Sequence, residues 1–379
     1  MFGIKTAIIN KVDELKQESN LKEVRIFPMG YICNHACPMC WRENLSPAIR
    51  QHLTKAAFTI DLQLDDYINL IKTLPPTVKR ISICGGGEPT LFKGIKTIMA
   101  TIKKQNLYGH IITNGSTLTP EFIDLLISIG WDSMHISVNA ATRSVYKIIN
   151  GVDHYDLVLN NIKNMQKHKG KRSLPELRFS FVIQKGNYEE IIPFAKLAAS
   201  YKAADIYYNP LIPFDLTLKT PSPFALDLKE KLLTLKYLKE AEELMKKSPT
   251  RTNVNYVLPI YQHHPNYNLE NPDQSYWATK YCDRVLQTID IMSSGKVLPC
   301  GFGFELREDF DLKMNVKKGD ITSFWNSPVY RQFRKRLRRG DFYPACKKYC
   351  TFFLASKNIP NKTIFTKRLY PSLYRTIDS

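Results

Sequence analysis

Cys33, Cys37 and Cys40 stand in the run Cys-Asn-His-Ala-Cys-Pro-Met-Cys, a C-x3-C-x2-C spacing that puts three thiols on one short loop. Iron–sulfur clusters and tetrahedral metal sites usually take four protein ligands. Three thiolates hold three irons of a [4Fe–4S] cube and leave the fourth iron open, and an open coordination position is where chemistry happens. With His35 as a fourth ligand the same loop reads as a structural zinc site. Zinc motifs, however, usually come as two separated pairs, and four ligands this close in sequence would be cramped.

The other cysteines extend the pattern. Cys282, Cys300, Cys346 and Cys350 lie late in the 379-residue chain, and only Cys84 stands alone, at the end of a strand pattern that makes it a core thiol. No signal-peptide pattern and no apolar run of membrane-spanning length is present, so a cytoplasmic protein is expected. In that compartment grouped cysteines point to metal binding or catalysis more than to disulfides. An apolar content of 44% excludes a disordered chain. The formal charge of +19 is spread along the sequence, apart from the dense run from Arg331 to Arg339. Phe333 and Leu337, four apart, make that run an amphipathic helix docked by one face, with Ser327-Pro328 as cap and first turn. Its basic side is either a solvated surface or a phosphate or carboxylate contact.

From residue 23 to 209, short β-rich runs (23–28, 80–84, 109–113, 133–138, 176–183 and 205–209) alternate with helical patterns (64–74, 92–104, 120–129, 155–167 and 188–201). Repeated β-then-α units imply a parallel sheet, open or closed. The segments expected are a helical lead-in (1–22), an α/β unit (23–247) ending in a long helix, a loop-rich connection (248–280), a cysteine-bearing unit (281–352) with a hairpin turning at Ser293-Ser-Gly295, and a basic tail (353–379). The cysteine loop follows the first strand and so lies at its C-terminal end, where parallel α/β folds bind ligands. At the end of the next strand stands Cys84-Gly-Gly-Gly-Glu-Pro-Thr90. Glycines there let backbone approach a ligand closely.

The three-cysteine loop followed by a Gly-Gly-Glu turn resembles the radical S-adenosylmethionine (SAM) superfamily. The resemblance implies an α/β fold, a partial (β/α)6 TIM-like barrel with a small C-terminal auxiliary cluster domain. It implies that Cys33, Cys37 and Cys40 ligate a [4Fe–4S] cluster whose open iron is chelated by SAM, with Gly86, Gly87 and Glu88 along the methionine amino group. Electron transfer from the cluster would cleave SAM to a 5′-deoxyadenosyl radical that abstracts hydrogen from substrate. Ile112-Thr-Asn-Gly115, with Thr113 and Asn114, resembles the family's third-strand segment. Ser137 and Gln184 match fourth- and fifth-strand positions facing SAM, and Asn139 stands where many relatives carry Asp. Met39 takes the place before the third cysteine where the family favours an aromatic, and would pack on adenine.

Cys282, a C-x12-G-x4-C string to Cys300, then Cys346 and Cys350 resemble the SPASM and twitch extensions of that superfamily. Four thiolates fit one fully ligated auxiliary [4Fe–4S] cluster; a four-cysteine zinc site is the alternative. The implied partners are a low-potential electron donor of flavodoxin or ferredoxin type and a substrate that is a peptide or a small polar sugar, cyclitol or cofactor precursor. The cluster loop comes early, so no leader-binding domain is expected in front of it, and a peptide substrate would call for a separate leader-binding protein. A basic, metal-stabilised nucleic-acid-binding protein without catalysis is the contrasting reading. It leaves the Gly-Gly-Glu turn unexplained and lacks interleaved aromatics in the basic run, so nucleic acid is disfavoured as a partner.

Overall fold

The structure, a computed structural model, describes residues 21–40, 42–43, 59–211, 223–263, 284–299 and 314–343. The strands are β1 (Glu23–Phe27), β2 (Arg80–Ile83), β3 (Tyr108–Thr113), β4 (Ser133–Ser137), β5 (Glu176–Ile183), β6 (Asp205–Pro210), β7 (Arg251–Thr252), β8 (Thr288–Met292) and β9 (Val297–Leu298). The helices are α1 (Leu64–Lys72), α2 (Ile95–Lys104), α3 (Pro120–Ser128), α4 (Arg143–Asn150), α5 (Tyr155–Lys169), α6 (Ile191–Ser200), α7 (Leu228–Met245), α8 (Val254–His263), α9 (Ile321–Trp325) and α10 (Pro328–Arg338).

The strands form one sheet in the order β7-β6-β5-β4-β3-β2-β1-β8-β9, parallel throughout except for the β8–β9 hairpin. Each step from β1 to β7 moves to the next position in the same direction. Right-handed crossovers then put the described connecting helices on one face of the sheet. The result is the expected α/β half-barrel, open at β7 and β9 and not closed on itself.

Strand alternation separates the two faces. Val24, Ile26, Ile81, Ile83, Ile111, Met134, Ile136, Phe179, Phe181 and Ile206 are buried in one continuous core with the helices. Fully burying such a side chain contributes about 1.5–3 kcal/mol. The opposite face, which carries no crossover helix among the described residues, bears Glu23, Arg25, Arg80, Ser82, His110, His135, Arg178, Asp205 and Asp290. These charges are paired. Arg25 forks onto Asp290, Arg80 lies 3.3 Å from Glu23, and Asp205 takes Arg178 at 3.2 Å and Arg251 at 2.8 Å. The half-barrel therefore has a polar, charge-compensated interior.

Helix ends follow local chemistry. The Thr119 hydroxyl accepts from the Phe122 N–H ahead of Pro120, and Asp227 and Glu230 form a reciprocal capping box at 2.8 Å each. The basic run forms α10, capped by Ser327, with Tyr330, Phe333 and Leu337 buried. One of its cations is buried with them. Arg334 stacks over Trp325, 4.2 Å from the ring centroid, and donates to the Trp325 carbonyl at 2.6 Å.

Three features differ from the sequence reading. The 248–280 connection contains β7 and α8; Pro259 inside Val254–His263 hid the helix. Helix α4 was not expected, being short and polar on its outer side. The hairpin, expected in a separate unit, joins the main sheet: β8 pairs in parallel with β1 from Glu23↔Thr288 to Phe27↔Met292. The 1–20 lead-in, all four late cysteines and the 353–379 tail lie outside the described residues. Among the described residues no helix is long and apolar enough to cross a membrane.

Arg25 and Asp290 join β1 to β8 across the polar face, with the Asp290 side chain fully buried. Asp290→Ala strands the Arg25 cation, and a loss of about 3–5 kcal/mol in denaturant unfolding is expected. The interior imidazoles add a pH dependence. Burial and the Arg178 cation push His135 down to about 3, and burial holds His110 well below its usual value. Both are neutral in the folded chain and protonate near 6.5 once unfolded. Their contribution is complete above about pH 6.5 and is lost as pH falls toward 3, each imidazole accounting for at most about 1.4 kcal/mol per pH unit. Urea titrations at pH 7 and pH 5 should show a smaller difference in His135→Gln than in wild type.

Candidate active site

Strand β1 leads into turns at Phe27–Gly30 and Met29–Ile32, closed by N–H donation from Gly30 to Phe27 and from Ile32 to Met29. The chain then enters the cysteine loop. The Cys40 N–H donates to the Cys37 carbonyl at 2.9 Å. All three thiols are half-buried, without disulfides. The Cys33 sulfur receives the His35 N–H at 3.4 Å and the Asn114 amide at 3.9 Å. The Cys37 thiol lies 3.8 Å from the Asn150 amide oxygen.

Beside this loop sits the glycine turn after β2. The Glu88 N–H donates to the Ile32 carbonyl at 2.8 Å. A Cβ on Gly87 would stand 2.0 Å from that same oxygen, so only glycine allows the two backbones to meet. Gly151, in the left-handed conformation (φ 66°) at the end of α4, meets the loop from another side. A Cβ there would be 2.1 Å from the Ala36 carbonyl. Both contacts bear on the backbone between Ile32 and Ala36, which brackets Cys33.

Glu88 points into the scaffold. Its carboxylate accepts from the Thr90 N–H (3.1 Å), the Thr90 hydroxyl (2.5 Å), the Thr113 hydroxyl (2.6 Å) and the Asn114 N–H (2.7 Å). Burial raises its pKa while these four donors lower it. Glu88 thus ties the turn after β2 to the turn after β3. Thr113 is occupied in the same tie, also accepting from the Gly115 N–H at 3.1 Å. Asn114 donates to Asn34 at 2.8 Å, and Asn34 donates to Ser116 at 2.9 Å, so the turn after β3 braces the cysteine loop as well.

Ser137 ends β4 half-buried, and Met39 is half-buried in the loop. Gln184, just past β5, is 1% exposed, and its side-chain nitrogen has no hydrogen-bond partner among the described residues. Asn139 adopts a left-handed φ of 61°; its amide oxygen accepts from the Val182 N–H and its amide donates to Asn150. It is a structural link between the ends of β4 and β5. Of the tyrosine pair on β6, Tyr207 takes the polar face, 5.0 Å from the His135 ring, whereas Tyr208 packs on Phe181 in the core. Cys84 is buried as expected, its thiol pushed up to about 12 by burial.

Several contributors escaped the sequence reading. Asn150 holds the Val138 carbonyl at 3.0 Å and touches Cys37; the glycine after it, a helix-stop signal, is the cue that was present. His154 lies 3.3 Å from His35, whose pKa falls to about 4 through burial and then through His154 and Arg42. Arg42 reaches back to the Tyr31 and His35 carbonyls.

The site fits an iron–sulfur cluster and its ligand. Three thiols share one loop, a backbone-only glycine turn lies against them, and a buried amide donor on Gln184 has no partner among the described residues. Burial, and then the two neighbouring thiols, push Cys37 up to about 12, and burial raises Cys40 too. Metal loading must therefore displace protons from these thiols. Among the described residues no three His, Cys, Asp or Glu side chains gather so as to hold a single metal ion.

Comparison with known proteins agrees with this geometry. Residues 27–198 match the radical SAM superfamily, and residues 282–351 match SPASM, an iron–sulfur cluster-binding domain. A probable GTP 3′,8-cyclase of Saccharolobus islandicus is 26% identical over 203 residues, which span 52% of this chain and 59% of that protein. An uncharacterized protein of Methanocaldococcus jannaschii is 33% identical over 135 residues, 35% of this chain and 45% of the relative. Among solved structures, Streptococcus suis SuiB bound to SAM superposes with a TM-score of 0.61 at 17% identity, covering 85% of this chain and 70% of SuiB. The enzyme anSMEcpe, bound to AdoMet and a peptide, gives 0.59 at 15% identity, covering 94% and 98%. Residues 27–198 are thus a radical SAM domain, and that domain implies a [4Fe–4S] cluster and SAM. The C-terminal part of the chain is a SPASM-type cluster-binding domain.

Gly87→Ala tests the interlocked loops. The added methyl forces Ile32 away from Glu88, and the variant is expected to keep its far-UV circular dichroism while losing SAM binding by at least about 10-fold in equilibrium dialysis, the scale of a disturbed supporting shell.

Proposed function

We propose that this chain is a radical SAM enzyme that abstracts hydrogen from a substrate held in the polar interior of its half-barrel. The observation that carries the reading is the Gly87–Ile32 contact. It sets three thiols and a side-chain-free backbone turn at one mouth, at the C-terminal ends of β1 and β2. Cys33, Cys37 and Cys40 hold three irons. The Gly86 and Gly87 backbone lies along the amino group of SAM, with the Glu88 carboxylate acting by fixing that turn. Ser137 and the Gln184 amide serve SAM from β4 and β5, and Met39 packs on adenine. When bound, cluster and SAM supply reductive C–S cleavage and a 5′-deoxyadenosyl radical. The chain's own part is to orient SAM, to exclude water with the packed turns after β2, β3 and β5, and to place the substrate.

Cys282, Cys300, Cys346 and Cys350 hold one auxiliary [4Fe–4S] cluster, for electron transfer or substrate support. A low-potential flavodoxin- or ferredoxin-type protein supplies electrons. A small polar substrate suits an interior lined by His135, Ser180 and Tyr207, and agrees with the cyclase-like relatives. The second reading, a peptide substrate presented by a separate leader-binding protein, draws on likeness to a fold that, in SuiB, was solved with its precursor peptide.

Anaerobic reconstitution should load about eight irons per chain, four per cube. Under dithionite the protein should convert SAM to 5′-deoxyadenosine. Cys37→Ala should abolish that conversion and retain about half the iron. A protein that takes up zinc, with no visible absorption and no 5′-deoxyadenosine, would sink the reading.

A further inference from the structure

The cysteine loop has no regular secondary structure, so its backbone carbonyls need partners from elsewhere. The Ile32 carbonyl takes the Glu88 N–H, and the Cys37 and Cys40 carbonyls take the Cys40 and Glu43 N–H groups. The carbonyls of Tyr31 and His35, two residues either side of Cys33, both go to one side chain. Arg42 donates from one terminal nitrogen to Tyr31 at 3.2 Å and from the other to His35 at 2.5 Å. Its third nitrogen is held by Glu43 at 2.8 Å. The Cys40–Glu43 turn, closed at 2.9 Å, folds the chain back so that this reach is possible. The guanidinium side chain is 11% exposed, so its charge is weakly screened. It follows Cys40 by two residues and holds the carbonyls on both sides of Cys33, which places its charge against the cysteine loop.

We propose that Arg42 is a positioning residue for the cluster: its planar fork clasps the loop on both sides of Cys33 before metal arrives, and its charge then raises the reduction potential of the bound cluster. The inference rests on the radical SAM reading above. A fork is needed because two carbonyls about the loop must be met at once; a lysine ammonium carries the charge without that planar geometry. The sign of the electrostatic effect follows from charge. Reduction adds one negative charge to a cluster already held by three thiolates, and a largely buried cation on the same loop stabilises that state. Glu43, its carboxylate 2.6 Å from the guanidinium, offsets part of the effect.

Three variants separate the two contributions in reconstituted full-length protein: Arg42→Met, Arg42→Lys and Glu43→Gln. Spectroelectrochemical titration and the rate of iron loss to a chelator are read for each, with circular dichroism as a folding control. Arg42→Met should lose iron about 10-fold faster or more, and its midpoint potential should move to more negative values. Arg42→Lys should lose iron faster yet keep a potential close to wild type. Glu43→Gln should hold its iron and move the potential the other way. Should Arg42→Met not fold, the Lys and Gln variants still decide. A wild-type potential in Arg42→Met and Glu43→Gln, or wild-type iron retention in Arg42→Lys, overturns the proposal. Failure of the wild type itself to take up iron would instead reject the family reading.

Discussion

One close backbone approach organises the rest of the site: the Ile32 carbonyl receives the Glu88 N–H at 2.8 Å with no room for a side chain on Gly87. Parallel pairing of β1 and β2 ends at Ile26↔Ile83, and beyond the turns that follow β1 this bond joins the two loops again, out of the strand register by two residues. The cysteines are therefore not on a free excursion. Their loop is the continuation of a buried sheet, braced by the Glu88 cluster, by Asn34 and Asn114, and by Gly151 from α4. Rigid support of this kind is what orients first ligands to a metal and limits the entropy lost when it binds.

The fold was largely legible. Six strands of the barrel and most of their helices showed in the alternation of period 2 with period 3.6. Cys33, Cys37 and Cys40 and the glycine turn stand out in the sequence because their signal is local: the thiols and the close-approach residues each sit within a few positions of one another. What the sequence hid was long-range. Asn150 meets Cys37 across 113 positions and Asn114 meets Asn34 across 80, and no spacing rule connects them. The sequence singled out Glu88 with its glycine turn, but not that its carboxylate would face Thr90, Thr113 and Asn114. That assignment depends on where β3 ends relative to β2.

The polar interior was also written in the chain and could have been read. Glu-Val-Arg-Ile, Arg-Ile-Ser-Ile and Ser-Met-His-Ile-Ser each alternate strictly, which a strand buried on two apolar faces does not require. Charges at those positions must be paired, and they are, strand to neighbouring strand. The cost of desolvating Glu23, Asp205 and Asp290 is offset by Arg80, Arg178, Arg251 and Arg25. This arrangement leaves an interior that is polar without a large excess of either sign.

The pairing of β8 with β1 bears on how the molecule is made. Arg25 and Asp290 are 265 positions apart, so the first strand acquires its second neighbour only when nearly three hundred residues have been synthesised. Until then β1 is a bare edge, with the cysteine loop at its end, and bare edges invite wrong pairing. The C-terminal module thus does more than carry its own cysteines. By covering the edge beside the cysteine loop, it makes completion of the sheet a late event in translation, and slow, long-range closure of that sort is the step at which a growing chain most benefits from a chaperone.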